Sequence, residues 1–246
     1  HCGTTVEAGL LVEGLKKSGL SMMPRWHGMS NHIKDILRQY APMIAGAFLM
    51  SGTTLVDQAM AAMLAPGSVA ALNYGNKMMA VAQGIGVTAL GTAVFPYFSS
   101  LAAARDWDGV RHTLKTYTRL IVKVTVPLTV IFIIFSVPLV RVLFQRGAFT
   151  VADTHLVGKI QSFYILQMPF YVLGMLHVRL ISSLKGNSVL MWGAAINLLV
   201  NAALDYLFIQ WLGVAGIALS TAFVYLIAFC YLRYMTMKLM RRTSYE

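Results

Sequence analysis

The sequence predicts an all-α protein, a polytopic membrane helical bundle of six transmembrane helices. Hydrophobic residues make up 57% of the 246 residues and charged residues only 12%, against about 25% charged in soluble domains. Apolar runs of roughly 20 residues, the length of a helix that crosses the hydrocarbon core, recur along the chain. The alternating ten-residue segments of a transmembrane β-barrel are not a feature of this sequence.

Residues 1–15 read as the end of a preceding transmembrane helix, because TTVEAGLLVEGL is a partial apolar stretch that runs into Lys16 and Lys17. Residues 16–41 read as a cytoplasmic linker. Within it, SNHIKDILRQYAP has two readings: a short amphipathic helix on the membrane surface with Ser30 as N-cap, or an ordinary solvated linker. A six-helix transmembrane lobe follows over 42–236, with spans near 42–65, 69–100, 119–141, 156–183, 188–211 and 213–236. The breaks are punctuated by Pro66-Gly67, Arg105 to Asp108, Arg146-Gly147, Lys185-Gly186-Asn187 and Leu212-Gly213, which are turn-forming or charged interruptions. The last break is so short that spans five and six must form a tight hairpin, with Gly213 and Gly216 allowing close backbone approach. Residues 237–246 read as a cytoplasmic tail.

When alternate loops are assigned to alternate faces, sixteen of the 20 Lys and Arg fall on one side, and only Lys77, Arg141, Arg146 and Lys159 on the other. Loops rich in Lys and Arg stay cytoplasmic, so the C-terminus is expected inside. The net charge of +11 is thereby accounted for. It lies in separate loops with no DNA- or RNA-binding motif, which excludes nucleic acid as a partner. Cys2 and Cys230 are far apart in sequence and outside any metal-ligand spacing. HExxH, GxSxG, P-loop and CxxC patterns are absent, so no enzyme is expected and transport is left.

Polar residues inside the apolar runs carry the functional signal. Asn197, Asn201 and Asp205 recur every four residues and share one face of span five. A carboxylate near the bilayer centre costs about 2.5–3.5 kcal/mol, so it needs a partner or a task. The stripe is either a set of helix–helix hydrogen bonders or part of an oxygen-lined site for a cation or proton. Asp57, in the middle of span one, is either paired to a neighbouring helix or shares that site. Two adjacent carboxylates repel unless a cation or shared proton lies between them. Thr221, one hairpin away, adds a hydroxyl, and an oxygen-rich set suits Na⁺ or H⁺ better than a transition metal. Lys77, with Asn76 beside it, enters span two; it either snorkels to the outer interface or faces a cavity and holds an anionic substrate group such as phosphate.

Three stretches resemble the MviN/MurJ-type lipid II flippases of the multidrug/oligosaccharidyl-lipid/polysaccharide exporter superfamily. These are APGSVAALNYGNKMMAVAQGIGVTALGTAVFPYFS, the outer loop VLFQRGAFTVADT, and Asn197-x3-Asn201-x3-Asp205 followed by GVAGIALSTA. The resemblance implies two six-helix lobes around a central cavity, of which this chain matches the second. The first lobe of the same polypeptide, membrane lipids and a lipid-linked saccharide are then the implied partners. It also implies a multi-pass protein of the bacterial inner membrane that carries the saccharide, held by its pyrophosphate, to the outer leaflet by alternating access. No resident cofactor is implied. Some members bind Na⁺, and the corresponding positions are Asp57, Asn201, Asp205, the carbonyl of Ile217 and Thr221. Lys77, with Asn76, falls at the substrate-contacting position, where Lys77 replaces the family's arginine. Ala80 and Ala82 replace its acidic residue and proline. The expected function is therefore a flippase for an undecaprenyl-pyrophosphate-linked saccharide, lipid II or a related exopolysaccharide precursor, coupled to Na⁺ or the membrane potential. A drug/cation antiporter of the same superfamily and a non-transporting scaffold for envelope polysaccharide synthesis are the alternatives.

Overall fold

Nine helices follow one another among residues 31–244, the part of the chain that this computed structural model describes. Segment 1–15, Ser30 and the rest of the linker before residue 31 lie outside the described residues. The helices are α1 (Asn31–Ala62), α2 (Ser68–Ala93), α3 (Phe95–Ala103), α4 (Trp107–Ile134), α5 (Ser136–Phe144), α6 (Val151–Leu166), α7 (Met168–Ser183), α8 (Asn187–Leu212) and α9 (Val214–Ser244). Everything described below belongs to the unit that begins at Gln39. The all-α membrane bundle expected from composition is the observed class. Four stretches among the described residues are long and apolar enough to cross a bilayer: Trp107–Ile134, Val151–Ser183, Asn187–Leu212 and Val214–Arg241. The first two expected spans are helical as well, but they carry the polar residues that line the central cavity, which lowers their hydropathy.

Three of the expected spans differ in one respect: each is two helices with a bend. The junctions fall at Val94, Phe135 and Gln167, just ahead of Pro96, Pro138 and Pro169. Proline has no N–H to donate, and its ring displaces the carbonyl four residues back. Backbone bonding resumes directly, with Phe98 N–H donating to Val94 O at 3.0 Å and Tyr171 N–H to Gln167 O at 2.9 Å. The spans are therefore bent, not interrupted. The third expected span also starts earlier, at Trp107, where Asp106 caps the helix by accepting from Gly109 N–H at 2.8 Å. Arg111, Lys115, Arg119 and Lys123 make this segment look like a loop by hydropathy, yet their four-residue spacing puts them on one helical face. Helix α9 likewise continues through the expected tail to Ser244.

The loop motif FTVAD has a local cause. Thr150 and Asp153 form a capping box, with Asp153 N–H donating to Thr150 Oγ1 at 3.2 Å and Thr150 N–H to Asp153 Oδ2 at 2.8 Å. This satisfies amides at the start of α6 that would otherwise have no partner.

Helix α9 is the central element and packs along α8, α7 and α6. One core cluster joins Leu72 and Met79 of α2, Ile160 and Tyr164 of α6, and Ile217 and Ala218 of α9. A second joins Phe98 of α3, Val110 of α4, Leu176 and Leu180 of α7, and Met240 of α9. Helix α1 approaches α8 along Gly46 and Gly52, opposite Met191 and Leu198. Outward faces carry large apolar side chains such as Phe48, Val142 and Trp211, 82%, 73% and 72% exposed. That is the surface a bilayer covers.

The α8–α9 hairpin turns on Gly213, whose φ of 58° favours glycine. It closes on Gly216, where a Cβ would lie 2.3 Å from the Phe208 carbonyl oxygen. Gly216→Ala is expected to splay the hairpin and destabilise the protein by about 1–3 kcal/mol, seen as a lower melting temperature in detergent. An unchanged melting temperature would show that the close approach does not matter.

Candidate functional site

Three helices bring their polar residues to one place. Helix α8 delivers Asn201 and Asp205, 2% and 0% exposed. Helix α1 delivers Asp57, and α9 delivers Ser220 and Thr221. Asn201 Nδ2 donates to Asp57 Oδ1 at 2.9 Å, across 144 residues of sequence. Asp205 lies one helical turn from Asn201 on the same face of α8. Ser220 Oγ lies in hydrogen-bonding contact with Asp205 Oδ1 and with the Ile217 carbonyl. Thr221 Oγ1 donates to the same carbonyl at 2.8 Å. Asp57, Asn201, Asp205, the Ile217 carbonyl and Thr221 thus form one connected cluster.

Beside it lies a cavity of about 170 Å³, lined among others by Thr53, Asp57 and Gln58 of α1, Asn73 and Asn76 of α2, Asn197 and Asn201 of α8, and Thr221 of α9. Asp57, Asn201 and Thr221 face the cavity; Asp205 and Ile217 lie one layer behind. Two oxygens in the cluster, Asn201 Oδ1 and Asp205 Oδ2, are buried without a hydrogen-bond partner. An unpartnered buried acceptor carries the full desolvation cost of about 1–3 kcal/mol, which a cation or ordered water relieves. The donor set is two carboxylates, an amide oxygen, a backbone carbonyl and hydroxyls. Among the described residues no group of three or more His, Cys, Asp or Glu gathers to hold a metal, here or elsewhere. Oxygen donors of this kind suit a hard cation, and the residues present fit Na⁺.

The two expected substrate contacts part company. Asn76 lines the cavity, whereas Lys77 is exposed outside that lining, with Nζ 5.6 Å from the centre of the Tyr74 ring, in a cation–π contact. Tyr74 in turn packs edge-on against Phe144 and Phe149. Several residues were not foreseen. Ser220 adjoins the foreseen Thr221. Gln167, which lines the cavity at the bend of α6 and α7, has its side-chain oxygen buried and unpartnered. The Met168-Pro169 pair marked that bend, and a polar residue at a bend inside an apolar run was the available signal. A second groove of about 350 Å³ runs between α1, α7, α8 and α9. Its lining is largely apolar, with Arg179 in its wall and the Arg179 Nε buried without a partner.

A family model described as "Lipid II flippase MurJ" matches residues 3–245. The chain belongs to this family. The resemblance read from the motifs is thereby established, and it agrees with the non-enzymatic reading. A probable lipid II flippase MurJ from Synechocystis is 29% identical over 192 residues, covering 77% of this chain and 35% of that relative. The lipid II flippase MurJ of Thermosipho africanus is 28% identical over 161 residues, 65% of this chain and 33% of the relative. A solved lipid II flippase MurJ in an inward closed conformation aligns with a TM-score of 0.69 at 25% identity, covering 89% of this chain and 48% of that one. An outward-facing multidrug transporter of the MATE family shares the fold, with a TM-score of 0.68 at 20% identity over 81% of this chain. The chain therefore spans between a third and a half of the length of these four proteins.

The Asp57–Asn201 bond is testable without any transport assay. Asn201→Leu leaves a half-buried carboxylate without its donor and is expected to cost about 1–3 kcal/mol. Asn201→Leu/Asp57→Leu should recover part of that loss. Strictly additive melting shifts in the double-mutant cycle would mean that the two side chains do not interact.

Proposed function

We propose that this chain is the second lobe of a bacterial inner-membrane flippase that moves an undecaprenyl-pyrophosphate-linked saccharide, lipid II or a close relative, from the inner to the outer leaflet by alternating access. The C-terminus and the face rich in Lys and Arg are cytoplasmic. One observation carries the reading: a chain of this family gathers two carboxylates and several neutral oxygens from α1, α8 and α9 at the wall of a cavity in the middle of an apolar bundle. Intramembrane charge of this kind is costly and marks a path or a coupling site.

In this reading Asp57, Asn201, Asp205, the Ile217 carbonyl and Thr221 hold Na⁺. When bound, the ion supplies the positive charge that lets two adjoining carboxylates stay ionised together. The chain's own residues do the rest. Asn201 orients Asp57 from α8, and Ser220 and Thr221 hold the α9 side against the Ile217 carbonyl. The relative position of α1 and the α8–α9 hairpin thus depends on the charge state of one cluster. That is a two-state element able to bias inward- against outward-facing arrangements. Asn76 meets the substrate in the cavity, and Lys77 meets its phosphate at the rim. The groove between α1, α7, α8 and α9 takes the apolar chain, with the Arg179 guanidinium available to phosphate. The first lobe of the same polypeptide completes the cavity.

Asp57→Ala and Asp205→Ala are each expected to abolish Na⁺ dependence of transport in proteoliposomes while leaving a folded protein. Transport by these variants that still follows a Na⁺ titration as wild type does would sink the assignment. Lys77→Ala is expected to slow transport about ten- to hundredfold, as for loss of a charge-assisted hydrogen bond of about 1.5–3 kcal/mol. A silent Lys77→Ala would favour a scaffold or a simple snorkelling role. Complementation of bacteria depleted of their own lipid II flippase separates lipid II from another lipid-linked saccharide. Rescue by a well-inserted protein supports lipid II, and failure points to the other cargo.

A further inference from the structure

We propose that a cleft between α4 and α9, at the end of the bundle where Lys and Arg concentrate, binds the phosphate of an anionic phospholipid. The inference is independent of the transport reading. Helix α4 presents Arg111, Lys115 and Arg119 at successive steps of four residues, and α9 presents Arg233 and Arg241 two turns apart, so each set shares one helical face. Both sets line a single cleft of about 510 Å³. Helix α7 packs against both walls. It contributes the buried His177, whose Nδ1 lies 3.1 Å from Thr236 Oγ1. Phe229 and Met240 add an apolar wall.

Among the described residues these cations have a single counter-charge. Asp108 reaches Arg111 at 3.4 Å, and both partners are largely exposed. Among the described residues no carboxylate pairs with Lys115, Arg119, Arg233 or Arg241. Cations held around one concavity repel each other, and an anion bound between them removes that cost. Guanidinium groups on opposite walls suit phosphate, which they bind through paired N–H donors.

The surroundings identify the anion as a lipid. Directly beyond Arg119, α4 turns outward the apolar side chains Leu120, Val122 and Val124, 54%, 40% and 55% exposed. The bilayer that covers that surface brings phospholipid headgroups to the mouth of the cleft, so a phospholipid can place its phosphate there while its acyl chains stay in the apolar phase along α4. Basic pockets between helices at the cytoplasmic face recognise anionic headgroups in this way.

The test is retention of phosphatidylglycerol over phosphatidylcholine by the purified protein, followed by native mass spectrometry from mixed-lipid nanodiscs. Wild type is expected to retain phosphatidylglycerol selectively. Arg119→Gln/Arg233→Gln should lose about tenfold or more of that selectivity, with each single variant losing part. Arg119→Lys/Arg233→Lys should keep most of it. Lys185→Gln/Lys238→Gln, which removes two charges outside the cleft, should match wild type. Melting temperature checks folding, and the single variants stand in if the double one does not fold. Three results would overturn the proposal: no selectivity in wild type, equal loss in the cleft and control variants, or displacement of the retained lipid by inorganic phosphate or undecaprenyl pyrophosphate. The last would assign the cleft to a soluble anion or to the transported cargo.

Discussion

A hydrogen bond from Asn201 to Asp57, part-buried at the wall of the cavity, is the constraint on which the rest of the structure depends. Lipid offers neither side chain another partner, so α1 must lie against α8 wherever Asp57 is to be satisfied. Ser220 extends the same requirement to α9 through Asp205. Interhelical hydrogen bonds add to van der Waals packing in holding the three helices around this cluster, because lipid tails are as apolar as the side chains and leave no hydrophobic drive. Within the hairpin Gly216 makes the close approach possible, since a Cβ there would meet the Phe208 carbonyl. The most polar helices, α1 and α2, fall below the hydropathy of a typical span for the same reason. Their polar faces line the cavity.

The two ends of the bundle have different chemistry. At one end Lys and Arg on α4 and α9 converge on a cleft in which, among the described residues, only Arg111 has a carboxylate partner. At the other, Tyr74, Phe144 and Phe149 form an aromatic group beside Lys77, and the Thr150–Asp153 box caps α6. Between the ends, proline bends at Pro96, Pro138 and Pro169 let single spans change direction. The Gln167 bend sits at the cavity itself. A bend beside a charged cluster gives a change in that cluster's charge a local way to alter helix direction.

Much of this was legible in the sequence because lipid simplifies the rules. Helix class followed from apolar run lengths. The turns at Gly67, Arg105, Gly147, Lys185 and Gly213 followed from the interruptions. Asp57, Asn201, Asp205 and Thr221 stood out because polar atoms in such runs are expensive. What periodicity could not supply was which helices meet. The i, i+4 stripe placed Asn201 and Asp205 on one face but left open whether Asp57 reached them, a question that only packing across 144 residues answers. Hydropathy also misplaced the start of α4, since a basic stripe on a helix at the interface looks like a loop until its four-residue spacing is weighed. Lys77 differs again: the sequence could not distinguish a side chain facing the cavity from one lying over its neighbour Tyr74.

The central claim is that the Asp57, Asn201, Asp205, Ile217 and Thr221 cluster is a monovalent cation site. Equilibrium binding of radiolabelled Na⁺ to the purified protein, alongside Asp205→Asn and Asp57→Asn, tests it most directly. The account predicts saturable binding of one ion per chain, displaced by unlabelled Na⁺ but not by choline, and lost in both variants. Absence of saturable binding to the folded wild-type protein, or binding that persists in both variants, would contradict it.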